Sequence, residues 1–161
     1  MKPDSRVMDA LDDLGAMYTA SRAFLPYIPE SVIGEKDYEI EGMRWHRLHP
    51  ITPEQRAKHN QAANWNNENF VIRLWAVLES HGFKGTKESR TKPIQLLYEL
   101  RCHFAHGRGR DDKERQRLRG CVMREFNVQN ASPGVIPLDK DRVLKRMLEL
   151  ARKYVRGVLN G

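Results

Sequence analysis

Only two cysteines occur in the 161 residues, Cys102 and Cys121, and no framework spacing relates them. That excludes a disulfide-stapled secreted scaffold and favours a reducing compartment. Long apolar runs are missing too. The most apolar stretch, Phe70 to Leu78, is interrupted by Arg73 and is far too short to span a bilayer. No apolar segment follows Met1-Lys2-Pro3-Asp4-Ser5, and Asp12 and Asp13 interrupt the first periodic stretch, so no leader is expected. The expected setting is the cytoplasm, with no membrane partner. His103 and His106, three apart with Cys102 nearby, have no second ligand pair at a zinc-like spacing, and His46 and His49 read the same way. No metal or other cofactor is expected. Internal repeats and low-complexity tracts are absent as well.

What is present is a folded-protein composition, 40% hydrophobic and 30% charged, with a net charge of +7. The charge is uneven. Residues 1–41 hold nine acids against four bases, so the positive excess lies in the remainder. A basic face of that kind suits a polyanion, although basic proteins without such a partner are common.

Apolar residues at Val7, Met8, Leu11, Leu14, Met17 and Tyr18 predict an amphipathic helix over 5–24, capped by Asp4 or Ser5 and ended by Pro26 and Pro29. Alternation around Gly42 (Tyr38, Ile40, then Met43, Trp45) predicts a small hairpin or extended arm in 37–48. Thr52-Pro53-Glu54-Gln55 is a helix start, with Thr as N-cap, Pro at the first helical position and Gln three residues after the cap. The helix it opens runs to about His81, where Gly82 stops it. Its Asn60–Asn69 stretch reads as solvated surface or the wall of a polar cavity. Pro93 opens a helix marked by Ile94, Leu97, Leu100 and Phe104 and ended by Gly107 and Gly109. Asp111 and Asp112 start another, with Leu118, Val122 and Phe126 as its buried stripe. Pro133-Gly134 suggests a second hairpin within 127–138. Asp139 or Asp141 caps a last helix that buries Val143, Leu144, Met147, Leu148, Ala151, Tyr154, Val155 and Val158. The expected architecture is mainly all-α, a bundle of four or five helices with small β-hairpin excursions. It forms one domain over 1–161, with a helix and arm in 1–50 and the core bundle in 51–161.

The stretch with the most chemistry is Leu100-Arg101-Cys102-His103-Phe104-Ala105-His106-Gly107. Arg101 offers a planar fork of donors that stays charged and suits a phosphate. His106 moves a proton near neutral pH. RNA carries its own nucleophile, the ribose 2′-OH, so its cleavage needs a proton acceptor for that hydroxyl and a positive donor for the phosphorane oxygens. Arginine plus histidine covers both. On a continuous helix the two positions lie about 140° apart, so they are expected to share a face only if the helix ends between them. Arg108 and Arg110, flanked by glycines directly after the motif, are the expected RNA-backbone contacts. The bland alternative is that Arg101 and His106 cap a helix end or pair with Glu99, Asp111 or Asp112.

The Arg101–His106 spacing resembles the R-x4-6-H motif of the HEPN superfamily. The likeness extends to a long helix bearing Asn66-Asn67-Glu68-Asn69-Phe70-Val71-Ile72-Arg73-Leu74-Trp75, then the motif helix, then a terminal amphipathic helix, over roughly 53–160. It implies a metal-independent endoribonuclease that cuts RNA by 2′-OH attack, in phage defence or a toxin–antitoxin system. Arg101 and His106 are then catalytic, and the expected partners are RNA, a second copy forming a homodimer with a composite cleft, and an antitoxin protein. The alternative within the same fold is a non-catalytic module that binds RNA, a nucleotide or a protein. One departure stands out: the residue after the motif arginine is usually polar in the family, and here it is Cys102. The supporting role falls to Cys102 or His103.

Overall fold

The computed structural model describes residues 4–40, 42–87, 89–106, 111–129, 131, 134–139 and 142–160. Five helices carry the fold: α1 (Val7–Phe24), α2 (Pro53–Ser80), α3 (Lys92–His106), α4 (Asp112–Phe126) and α5 (Val143–Leu159). A 3-10 turn (Glu30–Val32) and an antiparallel hairpin, β1 (Asp37–Ile40) with β2 (Met43–His46), lie between α1 and α2. The protein is therefore a mainly helical bundle with one small hairpin. No helix among the described residues is long and apolar enough to cross a membrane.

Local chemistry explains where the helices start and stop. Thr52 and Gln55 form the reciprocal capping box that opens α2, with Pro53 in the first turn. Gly82, at φ 85°, turns the chain out of it, a conformation that a side chain would oppose. Asp111 caps α4 by accepting from the Lys113 backbone N–H at 2.8 Å. At α1 the N-cap is Arg6 with no side-chain cap bond, so neither expected residue caps it, although Asp4 accepts from the Arg6 N–H at 3.0 Å. The start of α5 differs from expectation. Its N-cap is Arg142, in the left-handed region at φ 58°, with no side-chain cap bond, Asp139 does not serve, and Asp141 lies outside the described residues.

α2 is the central strut. It packs against α1, α3 and α5, while α3 also meets α4 and α5. Leu11, Phe70, Leu74, Trp75, Leu78, Ile94, Leu97, Leu100, Leu118, Val122, Phe126, Leu144 and Met147 fill the space between them. Two expected core positions lie outside: Met17 is 60% exposed and Val158 42%. A satellite cluster of Ile28, Val32, Ile40 and Ile51, with Tyr38 and Trp45 against it, packs the hairpin against the segments that precede and follow it. The second hairpin expected in 127–138 does not form among the described residues. Val128, Ile136 and Leu138 are all buried there, so the segment docks on the core instead of alternating its side chains as a strand pair would.

The asparagines of α2 divide between the two readings: Asn64 and Asn67 line a groove, as the cavity-wall alternative has it, but solvated surface does not describe Asn60 or Asn67. Asn60 and Asn67 are buried, not solvated. Asn60 accepts from the Ile28 N–H (2.8 Å) and donates to the Ile28 carbonyl (2.9 Å), where Arg56 also donates. Asn67 accepts from the Tyr18 hydroxyl at 2.8 Å, and Asn66 donates to Ser21. These bonds tie α1 and the segment after it to α2. Asn60→Ala leaves the Ile28 N–H buried without its acceptor, and the expected cost is about 2–3 kcal/mol in urea unfolding. A loss below about 0.5 kcal/mol would show that the Ile28 strap carries no stability.

Candidate functional site

α3 runs unbroken through His106, so the helix does not end between Arg101 and His106 as their shared face was expected to require. They meet nonetheless. The Arg101 Nη1 lies 3.3 Å from His106 Nε2, because the long arginine side chain spans the angular offset. A guanidinium only donates, so Nε2 is the accepting nitrogen and the imidazole proton sits on Nδ1 in this contact. Arg101 is half-buried and His106 exposed, which leaves the pair open to solvent.

Every acid proposed as a bland partner is engaged elsewhere. Glu99 pairs with Arg117 at 2.8 Å and accepts from Gln95 at 2.9 Å. Asp112 pairs with Arg115 at 2.8 Å, and Asp111 caps α4. Burial works to raise the Glu99 carboxyl, but the bonds from Gln95 and Arg117 and the Arg117 charge outweigh it and hold the group below its ordinary range. Glu99 thus stays with Arg117, and no carboxylate among the described residues contacts Arg101 or His106.

The remaining predicted residues are placed differently. Cys102 is half-buried beside the pair, with Arg101 Nη1 4.0 Å from its sulfur. Its neighbour one turn back is Tyr98, which the motif spacing does not mark. A hydrogen bond with Cys102 and repulsion between the phenolate and a Cys102 thiolate push the Tyr98 phenol above its ordinary value, with burial adding to them and Arg90 and Arg101 opposing. Arg90, also missed, stacks over Tyr98 at 4.2 Å and Trp75 at 5.0 Å and donates to Lys84, Gly85 and Gln95. The i, i+4 step from Tyr98 to Cys102 was the one available signal for this shelf.

His103 lies away from Arg101, turned inward with 7% exposure. Its Nδ1 has no hydrogen-bond partner, and the nearest carboxylate oxygen, on Glu114, is 3.8 Å away. Arg108 and Arg110 lie outside the described residues. Among the later basic residues, Arg115 and Arg117 hold the ion pairs above, while Arg119 donates to the Ala131 carbonyl at 2.8 Å. No three His, Cys, Asp or Glu side chains among the described residues cluster closely enough to hold a metal. In comparisons with known proteins, no family model, no curated protein and no solved structure matches the chain.

Proposed function

We propose that the protein is an endoribonuclease of the HEPN type that cleaves RNA at the Arg101–His106 pair by attack of the 2′-OH on the adjacent phosphorus. The observation that carries this reading is the 3.3 Å contact between a phosphate-gripping side chain and a proton-moving one, with no acid paired to either among the described residues. In the reaction the 2′-oxygen bonds to phosphorus and the P–O5′ bond breaks, leaving a 2′,3′-cyclic phosphate and a 5′-hydroxyl. His106 takes the 2′-OH proton on Nε2, the departing O5′ oxygen takes a proton from solvent water, and Arg101 opposes the charge that grows on the phosphorane oxygens. In the free protein Arg101 occupies the lone pair that must act as base. A substrate phosphate draws the guanidinium into a bidentate, charge-assisted pair and so frees Nε2 for the hydroxyl.

Arg108 and Arg110 would extend the phosphate track. A homodimer and an antitoxin protein remain part of this reading, as does a role in phage defence or a toxin–antitoxin pair. One chain already brings arginine and histidine together, so a two-fold partner would add a second pair and is not needed to complete the first. The test is incubation of purified protein with structured RNA in excess EDTA. Cleavage should persist and yield 2′,3′-cyclic phosphate ends or their hydrolysed form. Cutting only after a divalent metal is restored sinks the mechanism, and salt-dependent binding without cutting leaves a non-catalytic RNA module.

A further inference from the structure

A groove of ≈ 670 Å³ opens on the side of α3 away from Arg101, between the middle of α2, the end of α3, the start of α4 and the 134–138 segment. That volume lies within the range of small-ligand sites, about 300–1,000 Å³. Its lining combines three chemistries. Trp65 of α2 holds an indole 56% exposed on the wall, and Phe104 of α3 presents a half-buried ring. Asn64 and the buried His103 supply hydrogen-bonding edges. Lys58 and Arg115 place two positive charges around it against one carboxylate, Glu68.

Two features point to an occupant. A buried imidazole nitrogen with no hydrogen bond is costly, and the His103 Nδ1 is one, with the Glu114 carboxylate oxygen at 3.8 Å too far to supply it. A large aromatic face left in a groove also gains by being covered, and no side chain of the described residues stacks on Trp65 in an aromatic pair. The two cations are held only loosely. Lys58 pairs with Glu54, both about three-quarters exposed, and Arg115 pairs with an Asp112 that is 89% exposed. Exposed pairs of this kind are worth at most about 1 kcal/mol, so a phosphate can displace them.

We propose that this groove binds a nucleobase with its attached phosphate. The base stacks on Trp65, its polar edge meets Asn64 and His103, and the phosphate lies toward Lys58 and Arg115. Stacking on an exposed aromatic with a nearby cation is how proteins hold unpaired bases. An acidic peptide would use the cations and leave the indole uncovered, and an apolar ligand would leave the polar edge unpaired. The base could belong to a free nucleotide or to a single-stranded RNA. The RNA source rests on the ribonuclease reading, but occupancy of the groove does not require cleavage.

The test is titration of the intact protein with each nucleoside monophosphate, with a short single-stranded RNA, with ribose 5-phosphate and with a tetraglutamate peptide, following tryptophan fluorescence. Saturable quenching by monophosphates or RNA is expected, lost in Trp65→Leu and weakened roughly tenfold in Lys58→Ala/Arg115→Ala. His103→Gln should shift the ranking among the four bases, which a purely structural histidine would not do. Tighter binding of the oligonucleotide assigns an RNA strand, and equal or tighter binding of the monophosphate assigns a free nucleotide. Absence of saturation by every nucleotide up to roughly 10 mM, far weaker than specific sites bind, overturns the proposal. So does quenching that survives Trp65→Leu, or binding of ribose 5-phosphate or the peptide as tight as that of nucleotides. Because Trp65 is exposed, its replacement should leave folding intact, as circular dichroism would verify. Quenching without cleavage retains the groove and removes the ribonuclease; cleavage without quenching does the reverse.

Discussion

His106→Ala should slow RNA cleavage by roughly a hundredfold or more, the usual contribution of a positioned acid–base group. Arg101→Ala should fall by a comparable factor, as for removal of one strong stabiliser of transition-state charge. His106 is exposed and Arg101 only half-buried near the end of α3, so unfolding free energies should stay within about 1 kcal/mol of wild type. The direct Arg101–His106 contact adds a sharper expectation. Groups that act as a unit lose most of their effect at the first deletion, so the double variant should be little slower than the worse single one. Arg101→Lys keeps the charge but loses the planar fork, and should retain only part of the activity. Cleavage within about threefold of wild type in both alanine variants, a change of under about 1 kcal/mol in barrier, would move the chemistry away from this pair.

Where the sequence was legible, the signal was local. Thr52 and Gln55 satisfy each other's backbone across one turn, and Asp111 reaches the Lys113 N–H two residues on. The stripe Leu118, Val122 and Phe126 follows the helical period and is buried as that period predicts. The misreadings share an opposite cause. Asn60 is buried because its partner is Ile28, 32 residues away, and nothing in the α2 sequence announces that partner. Arg142 starts α5 from a left-handed conformation that spacing rules assign to glycine or asparagine, so Asp139, one of the two expected caps, does not serve. In 127–138 the Pro-Gly turn signal was genuine at Gly134, which takes φ 75°, but the flanking apolar residues meet the core before they can meet each other. The Arg101 and His106 residue types were legible, but their contact was not, since helix angles alone leave out the reach of a long arginine side chain that closes the gap on an unbroken helix. Nor was the groove legible, since its walls come from four separate segments.

The largest expected loss of stability comes from Trp75→Ala. Trp75 is 1% exposed and contacts the Tyr98 ring at a centroid distance of 5.0 Å, with Arg90 stacked over both rings. Truncation removes a large apolar body from a packed core and leaves a cavity, which typically costs about 3–5 kcal/mol. At this chain length that corresponds to a fall in Tm of roughly 6–20 °C. Trp75→Phe keeps an aromatic face for Arg90 and should cost about half as much or less, as better-filled sites do. The consequence reaches α3. Arg90 is anchored to the Lys84 and Gly85 carbonyls, and with Trp75 it forms the platform on which Tyr98 sits against Cys102. Removing the indole should let Tyr98 move into the vacated space, so the Cys102 thiol should become more accessible. Its labelling by a thiol reagent in folded protein should then quicken in Trp75→Ala relative to Trp75→Phe, with Cys121→Ser present in both to isolate the signal. A fall of under about 1 kcal/mol would show that the bundle does not depend on this ring. Unchanged labelling together with a large loss of stability would confine its role to the core and leave the shelf beside Arg101 independent of it.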